Sequence, residues 1–135
     1  MSDDPIRVRR WMSADLVTAS PSTALGDALE TMNGRRIRHL PILDNGGLVG
    51  LLSDRDARRC IDGGASNAGT KTPVRELMTH AENLRVVFPD TLVREAAELL
   101  CRQKISALPV VEGMNLVGIV TSEDLLWAFL ETTED

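Results

Sequence analysis

The chain has 135 residues, of which 43% are hydrophobic and 26% charged, which is the composition of an ordinary globular protein with enough apolar material for a core. Its net charge of −5 argues against non-specific binding to nucleic acid, because the phosphate backbone attracts basic surfaces. No apolar run approaches the roughly 20 residues of a membrane span, and the acidic start lacks the features of a secretory signal, so the expected compartment is the cytoplasm.

Charge is distributed unevenly along the chain. Residues 1–68 hold nine Arg and nine Asp or Glu, a net charge of zero, whereas residues 69–135 hold six Lys or Arg and eleven acids, a net charge of −5. The first half is therefore the better place for an anionic ligand.

An internal repeat organises the sequence. Residues 8–13 match residues 74–79 at an offset of 66, and residues 17–61 match residues 85–129 at an offset of 68. The repeat predicts one unit at residues 1–62, a linker at 63–73 without periodicity, and a second unit at 74–135. A unit of roughly 55 residues can hardly bury enough apolar surface alone, so we expect the two units to pack sheet to sheet around a pseudo-twofold axis.

Each repeat begins with a predicted strand and an amphipathic helix. A short strand (16–19 or 84–88) leads to a proline and a capping pair, Ser22-Thr23 or Asp90-Thr91, that opens the helix. Asn33-Gly34 is predicted to end the first helix. The helices carry their apolar residues on one face at the 3.6-residue period, at positions 25, 28, 29 and 32 and at positions 93, 96, 97 and 100.

A hairpin and a closing helix complete each repeat. A strand (37–43 or 105–111) contains a Leu-Pro pair, which is typical of an edge or a strand end. A four-residue turn leads to the returning strand, and the closing helix follows at 54–61 or 122–130. The predicted fold class is therefore α/β (α+β), with two pseudo-symmetric β-α-β-β-α units.

The most informative stretch lies where the returning strand meets the closing helix. Ser53 and Thr121 are placed to cap the helices, and Asp56 and Asp124, three residues on, lie in the first turn near free backbone N–H groups. Alone, this pattern favours a capping box with a purely structural role. Its occurrence twice in register favours a ligand site.

The glycine of each returning strand, at positions 50 and 118, is compatible with two interpretations. It fits a close approach of another backbone to the strand, and a simple packing constraint explains it equally well.

These features together resemble a tandem pair of CBS domains, the arrangement called a Bateman module. The resemblance covers about residues 8–130 and rests on two copies each of a Met-containing opening segment, a Pro plus capped helix, a Leu-Pro-apolar strand and Gly-apolar-apolar-(Ser/Thr)-x-x-Asp. It implies a regulatory module without enzymatic activity or a catalytic cofactor. Such a module binds adenosine-containing ligands in the clefts between the paired units and signals to a separate effector protein.

The resemblance also implies roles for individual residues. Asp56 and Asp124 would accept hydrogen bonds from the ribose hydroxyls, and Ser53, Thr121 and the helix N-terminal amides would bind phosphate. AMP, ADP, ATP, S-adenosylmethionine and a dinucleotide share the adenosine and are all candidates. The remaining expected contacts are Val17, Ile37, Arg38, His39 and Leu51 at the first site and His80, Arg85, Ile105, Ser106, Ala107 and Ile119 at the second.

Arginines are concentrated in the first repeat. Three of them follow the first helix, Arg35, Arg36 and Arg38, and three lie along the helix after Ser53, Arg55, Arg58 and Arg59. The second repeat has only Lys104 in the first of these regions and no cation in the other. The run is either a solvated helix face or a phosphate site. We predict either that the first site prefers a polyphosphate or that its arginines bind phosphates across the cleft, with Arg58 and Arg59 among the ligand contacts.

Nothing in the sequence points to catalysis or to a bound metal. His39 and His80 are more typical of packed or hydrogen-bonded residues than of catalysts, and there is no Walker A loop or pair of metal ligands at motif spacing. Cys60 and Cys101 lack metal or redox spacing, and we interpret both as reduced packing residues.

The last helix suggests a partner. Its segment at residues 125–130 is apolar all round, and aromatic residues such as Trp127 and Phe129 anchor interfaces. We therefore predict a homodimer in which helices from each chain pair in a flat disc. The alternative function is a non-catalytic dimeric scaffold with vestigial clefts, and a DNA-binding regulator is disfavoured because a helix-turn-helix segment and a basic surface are lacking.

Overall fold

A computed structural model of the chain describes residues 6–62 and 68–133. They belong to two compact units: the middle unit lies within Val17–Leu84, and the terminal unit combines Met1–Leu16 with Arg85–Asp135. Each unit contains an antiparallel hairpin and flanking helices, which confirms the predicted mixture of helix and strand. The elements are, in chain order, α1 (Val8–Trp11), α2 (Leu25–Arg35), β1 (His39–Asp44), β2 (Gly47–Ser53), α3 (Asp54–Asp62), α4 (Ala68–Lys71), β3 (Thr79–His80), α5 (Val93–Gln103), β4 (Ala107–Glu112), β5 (Asn115–Thr121) and α6 (Ser122–Thr132), with 3₁₀ turns at Val74–Glu76 and Ala81–Asn83.

The two predicted hairpins are confirmed. In the middle unit β1 pairs with β2 from His39 opposite Ser53 to Asp44 opposite Gly47, and β3 extends this sheet on the other side of β2. The turn residues Asn45 and Gly46 both have positive φ, which a tight hairpin loop requires. In the terminal unit β4 and β5 pair in the same way. The first strand of each hairpin begins two residues later than predicted.

Each unit has its own hydrophobic core, and the predicted apolar helix faces lie in these cores. In the middle unit Leu25, Ala28 and Met32 of α2 are buried, and in the terminal unit Ala96 and Leu100 of α5 are buried. The hairpins supply the other side of each core through Leu40, Ile42 and Leu52 or through Leu108, Val110 and Val120. The 3.6-residue period was sufficient to identify these faces.

The short strands predicted at 16–19 and 84–88 are wrong as strands. Each is reduced to one parallel bridge beside the hairpin, Ala19 with Ile42 and Val87 with Val110. The amide of Ala19 donates to the Pro41 carbonyl and its own carbonyl accepts from Leu43. Ala19 alone therefore makes both backbone hydrogen bonds to β1, and the chain turns away from the strand at Pro21.

The predicted helix boundaries are wrong at both ends of α2 and at the start of α5. The helices begin at Leu25 and Val93, and the hydroxyls of Thr23 and Thr91 instead accept hydrogen bonds from the amides of Ser20 and Phe88 in the preceding turn. At the C-terminal end of α2, Gly34 remains helical. The left-handed residue that ends the helix is Arg36, with φ of 57°.

The segment predicted as an unstructured linker contains α4. Its part at residues 63–67 lies outside the described residues, but Ala68–Lys71 is helical and the carbonyl of Thr72 accepts from the amide of Leu25. The segment is therefore tied to the start of α2, which periodicity could not reveal in a helix of only four residues.

The opening segments of the two repeats, residues 6–13 and 72–79, make the same contacts in different units. Val74 donates to the Thr23 carbonyl within the middle unit, and Val8 donates to the Thr91 carbonyl within the terminal unit. The repeat is thus structural, although the sequence repeats and the compact units divide the chain at different points. The N-terminal segment completes the unit formed by the second half of the chain.

The cysteines differ from their predicted packing role at one position. Cys60 is half-buried against the middle-unit core, whereas Cys101 is exposed on α5, so its interpretation as a packing residue is wrong. The helical period places position 101 beside the apolar stripe rather than within it.

Candidate functional site

The repeated motif lies at a strand-to-helix junction in both units, as the sequence predicted. β2 ends at Ser53 where α3 begins, and β5 ends at Thr121 where α6 begins. The first helical amide also donates to the residue just before the hairpin, Asp54 to the Arg38 carbonyl and Ser122 to the Ser106 carbonyl, each at 2.9 Å. Residues 38 and 106 are therefore fixed beside the helix start by the same backbone bond.

In the middle unit the carboxylate of Asp56 is half-exposed beside the helix start. Its backbone amide donates to the Ser53 hydroxyl at 3.1 Å, which caps α3. One carboxylate oxygen lies 4.0 Å from a guanidinium nitrogen of Arg59, and this side chain is 74% exposed. A pair this long and this exposed holds the carboxylate only weakly, so Asp56 is free to meet a ligand.

In the terminal unit the corresponding carboxylate belongs to a complete capping box. The Asp124 amide donates to the Thr121 hydroxyl, and Asp124 Oδ2 accepts from the Thr121 amide at 2.9 Å and from its hydroxyl at 3.1 Å. The structural role considered from the sequence is therefore real here. Both hydrogen bonds accepted by the carboxylate use Oδ2, so Oδ1 is the oxygen that Asp124 can offer to a ligand.

Several other predicted contacts are brought close to the motif by the hairpin register. His39 pairs with Ser53 across the first hairpin, and Ala107 pairs with Thr121 across the second. His39 and Ala107 directly follow residues 38 and 106. Ala107 is buried, whereas Ile105 is 41% exposed just before β4. Leu51 and Ile119 are half-buried two residues before the capping hydroxyls.

The remaining predicted contacts are held by other elements. Val17 and Arg85 lie on the extended segments that precede the bridges at Ala19 and Val87. Ile37 is half-buried directly after α2, and its amide donates to the Met32 carbonyl. His80, which the resemblance assigns to the second site, lies in the middle unit, where β3 places it opposite Gly50.

Of the two arginines predicted as ligand contacts on α3, one is engaged within the protein. The Arg58 guanidinium donates to the side-chain carbonyl of Asn33 at 2.7 Å and so ties α3 to α2. Arg59 lies one turn after Asp56 on the same side of the helix. The two therefore have different surroundings although they are adjacent in sequence.

The imidazole of His39 is held in its neutral form. Burial lowers the pKa of His39, the Asp54 carboxylate opposes this shift, and the Arg38 guanidinium adds to it. A neutral ring brings no charge to a ligand. Arg38 and the α3 residues Arg55 and Arg59 bring positive charge to this junction.

Two methionines have a role that was not predicted from the sequence. A Cβ added at Gly50 would collide with the Met78 side chain, and one added at Gly118 would lie 2.7 Å from Met12 Sδ. At Gly50 the packing constraint applies, because all three nearest atoms belong to the Met78 side chain. At Gly118 both interpretations apply, because the Ser13 carbonyl oxygen also lies 3.0 Å from the added Cβ. The signal was present, since a Met recurs at the same place in the opening segments of the two repeats.

Metal chemistry is not suggested by the side chains. Within residues 6–62 and 68–133, no three His, Cys, Asp or Glu side chains are grouped closely enough to hold a metal ion.

In the described part of the chain, no helix has the length and apolar character to cross a bilayer.

The sequence matches the CBS domain family twice, over residues 8–63 and residues 74–131. The chain belongs to the CBS-domain family. A curated relative, the CBS domain-containing protein YhcV of Bacillus subtilis (strain 168), is 31% identical over 118 residues, which cover 87% of this chain and 81% of that protein. The family expected from the repeated motif is confirmed.

Two solved structures of CBS proteins extend the comparison to ligands. The CBS domain pair of protein MJ0100, in complex with 5′-methylthioadenosine and S-adenosyl-L-methionine, is 30% identical with a TM-score of 0.82, covering 94% of this chain and 98% of that one. CBSX2 in complex with AMP is 31% identical with a TM-score of 0.77, covering 93% and 96%. Both of these proteins have thus been crystallised with adenosine compounds.

Proposed function

We propose that this CBS protein is a regulatory module that binds an adenosine-containing ligand at the helix start of each unit and signals to a separate effector protein. The observation that carries the proposal is the hydroxyl-x-x-Asp motif at both strand-to-helix junctions. Asp56 and Asp124 each present a partly exposed carboxylate in the first helical turn. An ionised carboxylate there suits the two neighbouring hydroxyls of a ribose.

The other parts of an adenosine find suitable chemistry nearby. The capping hydroxyls and the positive end of the helix dipole at the start of α3 and α6 suit a phosphate or another polar 5′ group. Apolar side chains beside the junctions, such as Leu51 and Ile119, suit the face of an adenine. AMP, ADP, ATP, S-adenosylmethionine and NAD are the candidates, and the complexes of MJ0100 and CBSX2 support this class of ligand.

The regulatory role follows from the kind of site. The motif supplies binding groups, and we assign no nucleophile or general base to it. A ligand that binds one arrangement of the protein better than another shifts the population toward that arrangement, which an effector protein then recognises. We therefore propose a sensing function rather than a catalytic one.

Calorimetric titration of the purified protein tests the proposal. AMP, ADP, ATP, S-adenosylmethionine and NAD are titrated separately, and we expect saturable binding of at least one with a dissociation constant in the micromolar range, roughly −8 kcal/mol. Guanosine monophosphate serves as the control for the base. The absence of binding heat with every adenosine compound, in a protein shown to be folded by circular dichroism, would contradict the sensing function.

The alternative function, a dimeric scaffold, is supported by one face of α6. Leu126, Trp127, Phe129 and Leu130 are each more than half exposed, while Leu125 and Ala128 of the same helix are buried. At the equivalent positions of the repeat, α3 has Arg58 and Arg59 instead of Leu126 and Trp127. The apolar face of α6 is thus best matched by α6 of a second copy, and we propose a homodimer for either function.

Sedimentation velocity tests the homodimer. We expect the protein to sediment as a dimer at micromolar concentration and Trp127→Glu to sediment as a monomer, because a charge would be buried without a partner. Met114→Glu is the matched control, since Met114 is 84% exposed at the hairpin tip of the same unit. A wild-type protein that stays monomeric, or equal effects of the two substitutions, would contradict the proposed interface.

A further inference from the structure

The two junctions differ in charge at one structurally equivalent position. Arg38 and Ser106 are 68 residues apart, and each uses its backbone carbonyl to accept the first amide of the closing helix at 2.9 Å. The backbone is therefore the same at both places, and only the side chain changes. The middle unit has an arginine at the residue bound to its helix start, and the terminal unit has a serine.

The first turn of the closing helix is a second place where the middle unit is more positively charged than the terminal unit. The first turn of α3 contains Asp54, Arg55 and Asp56, whereas the first turn of α6 contains Glu123 and Asp124 without a cation. Arg55 and Glu123 occupy equivalent positions and both are exposed. Around the helix start the middle unit is therefore more positive than the terminal unit, and the field there favours an anion.

Two cations of the terminal unit lie near its junction in sequence and must be weighed, Lys104 and Arg85. Lys104 does not distinguish the units, because the equivalent residue of the middle unit, Arg36, is also a cation. Arg85 is equivalent to Val17 in the repeat and lies on the extended segment two residues before the bridge at Val87. It is thus on a different element from the helix start with its capping hydroxyl. Arg38, in contrast, is held next to the first amide of α3 by its own backbone bond.

From this difference in charge we infer that the middle unit selects an adenosine ligand that carries a phosphate and that the terminal unit selects one that lacks a phosphate, an inference that rests on the function proposed above. Residues 38 and 106 determine this choice. A guanidinium presents a planar set of donors that matches a phosphate, and a hydrogen bond between charged groups is stronger than a neutral one. A neutral or sulfonium ligand gains nothing from Arg38 and loses nothing beside Ser106. Relatives of this chain have been crystallised with both ligand types, a phosphate-bearing one in CBSX2 and phosphate-free ones in MJ0100.

The test compares AMP with adenosine, which differ only in the phosphate, at one site at a time. Asp124→Asn silences the terminal site for measurements on the middle unit, and Asp56→Asn does the reverse. In the first background, Arg38→Ser is expected to lower the ratio of AMP affinity to adenosine affinity about ten- to hundredfold. In the second background, Ser106→Arg is expected to raise this ratio by roughly tenfold.

Arg35→Ser is the matched control, because it removes the same charge from an exposed residue of the same unit at the end of α2. We expect it to change the ratio less than about twofold. A ratio that does not respond to Arg38→Ser, or that responds equally to Arg35→Ser, would overturn the inference while leaving the proposed function intact. A wild-type protein that binds neither adenosine nor AMP would overturn the inference, and one that binds none of the adenosine compounds would overturn the proposed function as well.

Discussion

Asp124→Ala is expected to lower ligand affinity and folding stability together, whereas Asp56→Ala is expected to lower ligand affinity alone. Each carboxylate is proposed to accept hydrogen bonds from two ribose hydroxyls, so its loss should weaken binding at its own site roughly a hundredfold or more. Asp124 Oδ2 also accepts two hydrogen bonds from Thr121, and removing this part of the cap should cost about 1–2 kcal/mol of unfolding free energy. Asp56 has only a weak ion pair to lose, so the cost there should stay within about 0.5 kcal/mol.

Two measurements separate these effects. Urea unfolding followed by circular dichroism gives the stability without ligand, and calorimetry with the best ligand gives the affinity. Asp124→Asn retains a side-chain oxygen for the cap but lacks the charge, so it should keep much of the stability while losing affinity. Glu123→Ala removes a neighbouring exposed acid from the same helical turn and is the matched control. Normal affinity in both alanine variants would show that neither acid contacts the ligand.

The sequence was sufficient for those features whose causes are local. Amphipathic periodicity identified the buried faces of α2 and α5, and the Asn45-Gly46 pair identified the turn of the first hairpin. The strand-to-helix junction was also predicted correctly, because a capping hydroxyl followed by an acid is a signal contained in four residues. The acids and hydroxyls of the candidate site therefore follow from a local signal, whereas the other expected contacts depend on the resemblance.

The features that the sequence did not predict depend on distant contacts or on competition between local bonds. The partner of the opening segment at residues 6–13 is a loop roughly eighty residues away, and no pattern within the segment specifies it. Thr23 and Thr91 have the chemistry of helix caps, but the turn before each helix uses their hydroxyls first. Arg58 could not be distinguished from Arg59 until its contact with Asn33 was known.

Gly118→Ala and Gly50→Ala are both expected to destabilise the protein, by about 1–3 kcal/mol, because each adds a methyl group where a methionine is already packed. A Cβ at position 118 would lie 2.7 Å from Met12 Sδ and 3.0 Å from the Ser13 carbonyl oxygen. That carbonyl accepts a hydrogen bond from Ile119, so it cannot retreat without loss. At Gly50 the three nearest atoms all belong to the Met78 side chain, which can bend.

This difference predicts how each glycine variant responds to a smaller neighbour. Met78→Ala should suppress most of the extra cost of Gly50→Ala, so the double-mutant cycle should show a coupling of about 1 kcal/mol or more. Met12→Ala should rescue Gly118→Ala only partly, since the Ser13 carbonyl remains in place. Gly34→Ala is the control, because nothing lies within 4 Å of its added Cβ and alanine in the interior of α2 should stabilise the helix by up to about 1 kcal/mol. Equal rescue at both positions, or no coupling at either, would mean that the glycines are required for a reason other than contact with the methionines of the opening segments.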